Sequence, residues 1–248
     1  MNQSSYIEGR NPVIEALKSG RNIEKIYIED GNKSGSINKI KKIAKDKGIV
    51  IQYIHKNKLQ SMANTNSHQG VIALVSAYSY KTIEDIFKLA KDKDEDPFVI
   101  ILDEIKDPHN LGSIMRTAEC VGAHGIIIPK RRSVGLTATV AKTSAGAIEY
   151  MPVVKVSNIS NTLKKLKDKG LWIYGADMSG DKNYYENNLS GPIGIVIGSE
   201  GSGMSRLVKE KCDVLVQIPM RGKVSSLNAS VAASIIMYDV LRQRSIKA

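Results

Sequence analysis

Apolar residues run almost unbroken through short segments of this chain, and between those segments they recur at three- and four-residue spacing. In the C-terminal part the unbroken runs are FVIILDEI (98–105), GIIIP (125–129), YMPVVKV (150–156), LWIYGAD (171–177), IGIVIG (193–198) and DVLVQIP (213–219). Runs of this length predict strands buried on both faces. Helical patterns separate them at about 111–122, 134–147, 158–169, 203–211 and 227–243. Strand and helix alternating in this way predict an α/β fold with a mostly parallel sheet covered on both faces.

Residues 1–77 repeat the alternation on a smaller scale. Asn11-Pro12 offers an N-cap and an N1 proline for a helix through Leu17, and Gly20 suits its stop. KIYIE (25–29) reads as a strand, and INKIKKIAKDKG (37–48), apolar at 37, 40, 43 and 44, as a helix. IVIQYI (49–54) and QGVIALVSA (69–77) close the set as strands. A small α/β domain is expected here. Residues 78–97, YSYKTIEDIFKLAKDKDEDP, hold one short amphipathic turn and a charged run stopped by Pro97, which reads as a linker. The expected division is therefore a domain at 1–77, a linker at 78–97 and a larger domain at 98–248.

Composition narrows the class. No apolar run approaches the ~20 residues of a membrane span, and the first ten residues lack a secretory apolar core, so a cytoplasmic protein is expected. Cys120 and Cys212 match no zinc or redox spacing, and His55, His68, His109 and His124 form no metal-ligand pattern, so no metal is expected. The net charge of +11 is spread over both large segments. Such a field attracts phosphate polymers by counterion release, although it also serves solubility.

Ligands of parallel sheets bind beyond the carboxyl ends of the strands, and three loops placed there carry unusual residues. In DEIKDPHNLGSIMRTAE (103–119), Pro108 stiffens the turn and Asn110 is placed to cap a helix holding Gly112, Ser113 and Arg116. Either this is a plain cap with a surface arginine, or Asn110 and Arg116 share a face with the guanidinium aimed at a phosphate or an oxygen nucleophile. In IVIGSEGSGMSRL (195–207), Gly198, Gly201 and Gly203 form neither the dinucleotide fingerprint nor the P-loop. Glu200 between them, expected as a buried acid, discourages a diphosphate and suits a cationic or hydroxyl-bearing ligand. In PMRGKVSSLNAS (219–230), Pro219 ends a strand, Gly222 permits a reversal, and Ser225 or Ser226 is placed to cap the last helix. The remaining Ser226, Asn228 and Ser230 exceed what one cap requires and suit a ribose, purine edge or phosphate. A weaker feature is PKRRS (129–133), followed by VAKTSAGA (140–147) on a helix.

Taken together, NLGSIMR (110–116), IGSEGSGMS (197–205) and IPMRGKVSSLNASVA (218–232) resemble, in order and spacing, the three motifs of the SpoU/TrmH branch of the SPOUT RNA methyltransferases. YIEGRNPVIEAL (6–17) and HQGVIALV (68–75) resemble the ribosomal-protein-like RNA-binding domain that precedes the catalytic domain in the RlmB type. The resemblance implies a trefoil-knotted catalytic domain, S-adenosylmethionine as cofactor, and a homodimer whose active site combines residues of both subunits. It implies methylation of a ribose 2′-hydroxyl, with a guanosine of 23S ribosomal RNA as target. A tRNA, a different rRNA nucleotide of the resistance type, or an inactive RNA-binding protein are the alternatives. By motif match the cofactor site takes Thr143, Ser144, Gly146, Ala176, Gly198, Glu200, Gly201, Ile218, Met220, Ser226, Leu227 and Asn228. Arg116 is the implied catalytic residue, with Asn110 and Glu200 orienting it and Ser226 and Asn228 positioning substrate. RNA contacts are assigned to Arg10, Lys130, Arg131 and Arg132. A guanidinium ordinarily stays protonated, so Arg116 suits binding a phosphate and acidifying the hydroxyl better than acting as a free base.

Overall fold

The computed structural model describes residues 5–18, 21–32, 34–63, 68–75, 78–224 and 226–247. The chain forms two compact units, residues 1–79 with 135–138, and residues 80–134 with 139–248.

The smaller unit contains β1 (Ser5–Glu8), α1 (Arg10–Lys18), β2 (Ile23–Glu29), α2 (Gly35–Asp46), β3 (Ile51–Ile54), α3 (Lys56–Met62) and β4 (Val71–Val75). Its sheet has the order β1-β4-β2-β3, with β4 antiparallel to both neighbours and β2 parallel to β3. The helical spacing of α1 and α2 turns Val13, Ile14, Leu17, Ile37 and Ile40 onto Ile26, Ile28, Val71 and Ala73 of one sheet face. On the other face α3 contributes Leu59 against Ile54 and Ile72. β1 and α3 escape sequence pattern because each is short and α3 buries a single residue. Helix α1 begins at Arg10 behind Gly9, whose φ of +93° lets Val13 N–H reach the Gly9 carbonyl, so Asn11 lies inside the first turn rather than capping it. Gly20, the expected stop, and Ser76–Ala77, the expected strand end, lie outside the described residues.

The larger unit contains α4 (Ile83–Asp92), β5 (Phe98–Asp103), α5 (Pro108–Cys120), β6 (Gly125–Pro129), α6 (Ala138–Thr143), β7 (Val153–Val156), α7 (Ile159–Asp168), β8 (Trp172–Ala176), β9 (Lys182–Asn183), β10 (Ile193–Gly198), α8 (Arg206–Lys209), β11 (Val214–Gln217) and α9 (Ala229–Lys247). Its seven strands lie in the order β7-β6-β5-β10-β8-β11-β9, and every pairing is parallel. β10 therefore inserts between β5 and β8, both earlier in the chain. That insertion sets the loops after β5, β8, β10 and β11 side by side at one sheet edge.

Two expectations need correction. The segment read as a linker holds α4, started by a capping box in which Thr82 Oγ1 accepts from Asp85 N–H and the Asp85 carboxylate accepts from Thr82 N–H. Its Ile86 and Ala90 are buried, Ile86 in the cluster of Val99, Ile101, Ile127 and Leu163, so the charged run is the solvated face of a packed helix. The helix expected over 134–147 is reduced to α6 and a 3₁₀ turn at Ala147–Glu149, because Ala145 and Gly146 both take positive φ. No helix among the described residues is long and apolar enough to cross a membrane. Since Ile86 is 1% exposed, Ile86→Ala is expected to destabilise the larger unit by about 2–5 kcal/mol, read as a lower urea midpoint for its unfolding.

Candidate functional site

A cavity of about 550 Å³ opens at the carboxyl edge of β8, β10 and β11. Its walls are residues 176–178, 197–203 and 226–229, with Lys209, Val216, Ile218, Met220 and Ala232. Nine of the sequence-predicted cofactor residues stand in that wall: Ala176, Gly198, Glu200, Gly201, Ile218, Met220, Ser226, Leu227 and Asn228.

Glycine is required in the loop after β10 for a geometric reason. Ser199 and Gly203 exchange backbone hydrogen bonds of 3.0 and 2.9 Å, folding the loop onto itself. A Cβ on Gly198 would stand 2.2 Å from the Gly203 carbonyl carbon, and Gly201 and Gly203 have φ of +87° and +65°. The far end of the loop is held by Asp103, at the end of β5, whose carboxylate accepts from Ser205 N–H at 2.8 Å.

Glu200 is exposed rather than buried, because this loop carries it out over the sheet edge. Its Oε1 accepts from Asn110 Nδ2 at 3.1 Å, from Ala229 N–H at 3.3 Å, and from Asn228 Nδ2. Asn228 Nδ2 also donates to Asn110 Oδ1 at 2.9 Å. One carboxylate oxygen thus gathers the first turns of α5 and α9. Asn228 is itself the cap of α9: its Oδ1 accepts from Ser230 N–H at 2.9 Å, Val231 N–H at 3.3 Å and Ser230 Oγ at 2.6 Å. The expected serine cap is not observed for Ser226, and Ser225 lies outside the described residues. Asp107, not Asn110, caps α5 by accepting from His109 N–H at 3.0 Å, which leaves Asn110 buried within the first turn and free to bond Glu200.

Asp177 and Lys209 join the cavity without having been singled out from sequence. Lys209 Nζ stands 2.6 Å from Asp177, which also accepts from Ser179 N–H and Oγ. Burial pushes the Asp177 carboxyl up, but the Lys209 and Ser179 hydrogen bonds outweigh it and hold the group below the usual carboxylate range. An acid directly following the strand LWIYGA was the available signal for Asp177; Lys209, on the single turn of α8, offered none. Among the described residues no group of three or more His, Cys, Asp or Glu could hold a metal ion.

Several predicted residues lie elsewhere. Thr143 and Ser144 do not line the cavity: Thr143 Oγ1 donates to Thr139 O at 2.9 Å, and Ser144, fully buried, donates to Ala141 O at 3.1 Å. Gly146 supplies the left-handed start of the following 3₁₀ turn. Arg116 does not share a face with Asn110, because six residues at roughly 100° each leave them about 120° apart around α5. Asn110 is buried and Arg116 exposed, and Arg116 makes no hydrogen bond or ion pair with another described residue. Neither Asn110 nor Glu200 orients it within one chain. After β6, Arg132 pairs with Glu104 at 3.2 Å, while Arg131 is exposed and Lys130 half-buried. Arg10, in the smaller unit, donates from Nε to the Gln69 carbonyl at 3.0 Å.

Residues 97–238 match the SpoU rRNA Methylase family, and residues 6–81 match the family described as RNA 2′-O ribose methyltransferase substrate binding. YacO of Bacillus subtilis (strain 168), placed by its name in the TrmH family of tRNA/rRNA methyltransferases, is 53% identical over 242 residues, covering 98% of this chain and 97% of that protein. Among solved structures, the SpoU methyltransferase AviRb from Streptomyces viridochromogenes superposes with a TM-score of 0.63 at 24% identity, over 98% of this chain and 90% of its own. AviRb has also been solved in complex with AdoMet. A TrmH/SpoU tRNA modifying enzyme of A. aeolicus gives a TM-score of 0.57 at 28% identity, over 66% of this chain and 84% of its own.

The Glu200–Asn110–Asn228 cluster predicts its own perturbation. Asn228→Ala removes the α9 cap and is expected to cost about 1–2 kcal/mol in a thermal melt. Asn228→Asp keeps the cap but sets a second carboxylate against Glu200. It also removes the amide N–H from which Glu200 accepts, so Asn228→Asp is expected to melt below the unmodified chain at neutral pH although the cap is kept.

Proposed function

The chain belongs to the SpoU rRNA methylase family, and on that premise we propose that it transfers a methyl group from S-adenosylmethionine to a ribose 2′-hydroxyl of RNA, with a guanosine of 23S ribosomal RNA as the target. The observation that carries this reading is the cavity itself, whose walls come from the second and third motifs and which Glu200 ties to the first.

The donor set suits this cofactor. Ala176, Ile218, Met220 and Leu227 give the cavity apolar walls for an adenine ring and a methionine chain, and the glycine loop offers close backbone approach. Its charged groups are Asp177, Glu200 and Lys209, and Asp177 already neutralises Lys209. That balance favours a cationic sulfonium over a di- or triphosphate. When bound, S-adenosylmethionine supplies a methyl group made electrophilic by its sulfonium.

The remaining work falls to the chain. Ser226 holds the target ribose at the cavity wall, in line with the methyl, and Asn228, its amide spent on Glu200, Asn110 and the α9 cap, positions the segment that carries it. Arg116 binds the target phosphate and acidifies the neighbouring hydroxyl, with a phosphate oxygen taking the proton, since a guanidinium ordinarily remains protonated. Within one chain Arg116 stands outside the cavity, which supports a homodimer in which Arg116 of one protomer completes the pocket of its partner. We extend the same reading to a trefoil knot in the larger unit, to Thr143, Ser144 and Gly146 as cofactor contacts in the assembled dimer, and to RNA recruitment by the smaller unit.

Mapping 2′-O-methyl sites in ribosomal and transfer RNA from cells with and without the gene tests the target. Loss of one 23S guanosine mark is the expected outcome. Loss of a tRNA mark instead moves the target, and no loss in either removes the reading. Arg116→Ala is expected to lower methylation at least about 100-fold while leaving the dimer and cofactor binding intact. Removing residues 1–77 is expected to leave a dimer that binds cofactor but methylates its RNA poorly, with the rise confined to the RNA KM.

A further inference from the structure

Residues 219–224, PMRGKV, are a stretch of the third motif in which only Met220 lines the cavity. All six are exposed, and the segment is fastened to the cavity at both ends, by Met220 on one side and by Ser226 and Leu227 on the other. Two of the six are cations, Arg221 and Lys223, and neither makes an ion pair or hydrogen bond with another described residue. Lys209, the cation inside the cavity, is by contrast consumed by Asp177 at 2.6 Å.

The strand order places a second cationic loop on the opposite side. Lys130 and Arg131 follow β6, and Arg221 and Lys223 follow β11, with β5, β10 and β8 between them. All these strands are parallel, so both loops leave the same edge of the sheet. At the usual inter-strand spacing the two loops stand about 19 Å apart, one on either side of the loops that wall the cavity.

We propose that Arg221 and Lys223 hold the phosphate backbone of the substrate RNA at the mouth of the cofactor cavity, opposite the Lys130–Arg131 loop, and so set which ribose is presented to it. The proposal rests on the methyltransferase reading above. Its chemistry is simple counter-charge: each phosphate neutralised by a fixed cation releases condensed counterions, and that gain is lost as salt rises. A cation placed on the rim rather than in the wall acts on the polymer and leaves the cofactor's own contacts unchanged. The two cations are positioning residues, since they touch the RNA backbone and not the reacting atoms.

The test compares the full-length chain with R221A/K223A, R221E/K223E and R221K/K223R, using a 23S ribosomal RNA transcript and tritiated S-adenosylmethionine. The alanine pair is expected to raise the RNA KM about tenfold with kcat unchanged. It is also expected to reduce the slope of log affinity against log salt by about 1.5, the value for two lost phosphate contacts. The glutamate pair is expected to raise KM further, and the conservative exchange to restore both KM and slope. The S-adenosylmethionine Kd from calorimetry is expected to stay the same in all four proteins. An unchanged RNA KM and salt slope in R221A/K223A overturns the proposal. So does a weakened cofactor Kd with RNA binding intact, which would place the cations on the cofactor's carboxylate. Failure of the methyltransferase reading is distinguishable, because the unmodified chain would then methylate no RNA, whereas RNA binding and its salt slope remain measurable by gel shift.

Discussion

The site depends on one carboxylate oxygen. Glu200 Oε1 receives hydrogen bonds from Asn110 on α5, from Asn228 ahead of α9 and from the backbone of Ala229. Residues 110, 200 and 228 are remote in sequence, yet each sits where a helix begins or a glycine loop turns. The N-terminal turns of α5 and α9 expose unbonded N–H groups and the positive ends of two helix dipoles, and a negative oxygen between them is favoured by both. Replacing it by an apolar group would leave two amides and a helix N–H without their partner, at about 1–3 kcal/mol for each group that water does not reach. The carboxylate also fixes where Asn228 and Ala229 stand, directly after Ser226 and Leu227 of the cavity wall.

That oxygen can serve both helices only because of the strand order. If β10 lay at the edge of the sheet, as its late place in the chain would suggest, its loop would face solvent on one side. Between β5 and β8, with β11 next, it is flanked by the loop leading to α5 and by the loop leading to α9. The glycines at 198, 201 and 203 then become obligatory. A turn tight enough for Ser199 and Gly203 to pair, and to leave Glu200 projecting from its crest, has no room for a Cβ at Gly198.

Strands buried on both faces were the most legible features. IGIVIG is observed as Ile193–Gly198 and GIIIP as Gly125–Pro129, because an unbroken β-branched run has few alternatives. Elements that owe their form to context were hidden. Helix α4 was obscured because its charged residues outnumber the two it buries, and amphipathicity over ten residues resembles a solvated linker. At the site, the motifs gave the correct residue types but not their bonds. Asn110 reads as a cap in sequence, whereas Asp107 caps the helix and releases Asn110 to reach 90 residues forward. Glu200 reads as buried between glycines, whereas those glycines lift it outward. Asp177 and Lys209 are paired by the alignment of β8 with α8, a tertiary relation that local spacing does not encode.

The distribution of charge around the cavity follows from the same architecture. Asp177, in the cavity wall, is held below the usual carboxylate range by Lys209 and Ser179, while Glu200, on the crest of the glycine loop, accepts from the two helix starts. Arg131 after β6, Arg221 and Lys223 after β11, and Arg116 on the outer face of α5 are exposed cations that make no ion pair with another described residue. A parallel sheet lends itself to the arrangement because its carboxyl edge gives short loops a floor near the strands and longer loops a rim above them. On the proposed reading, cofactor and RNA meet at this one edge, the cavity taking the first and the exposed cations beside it the second.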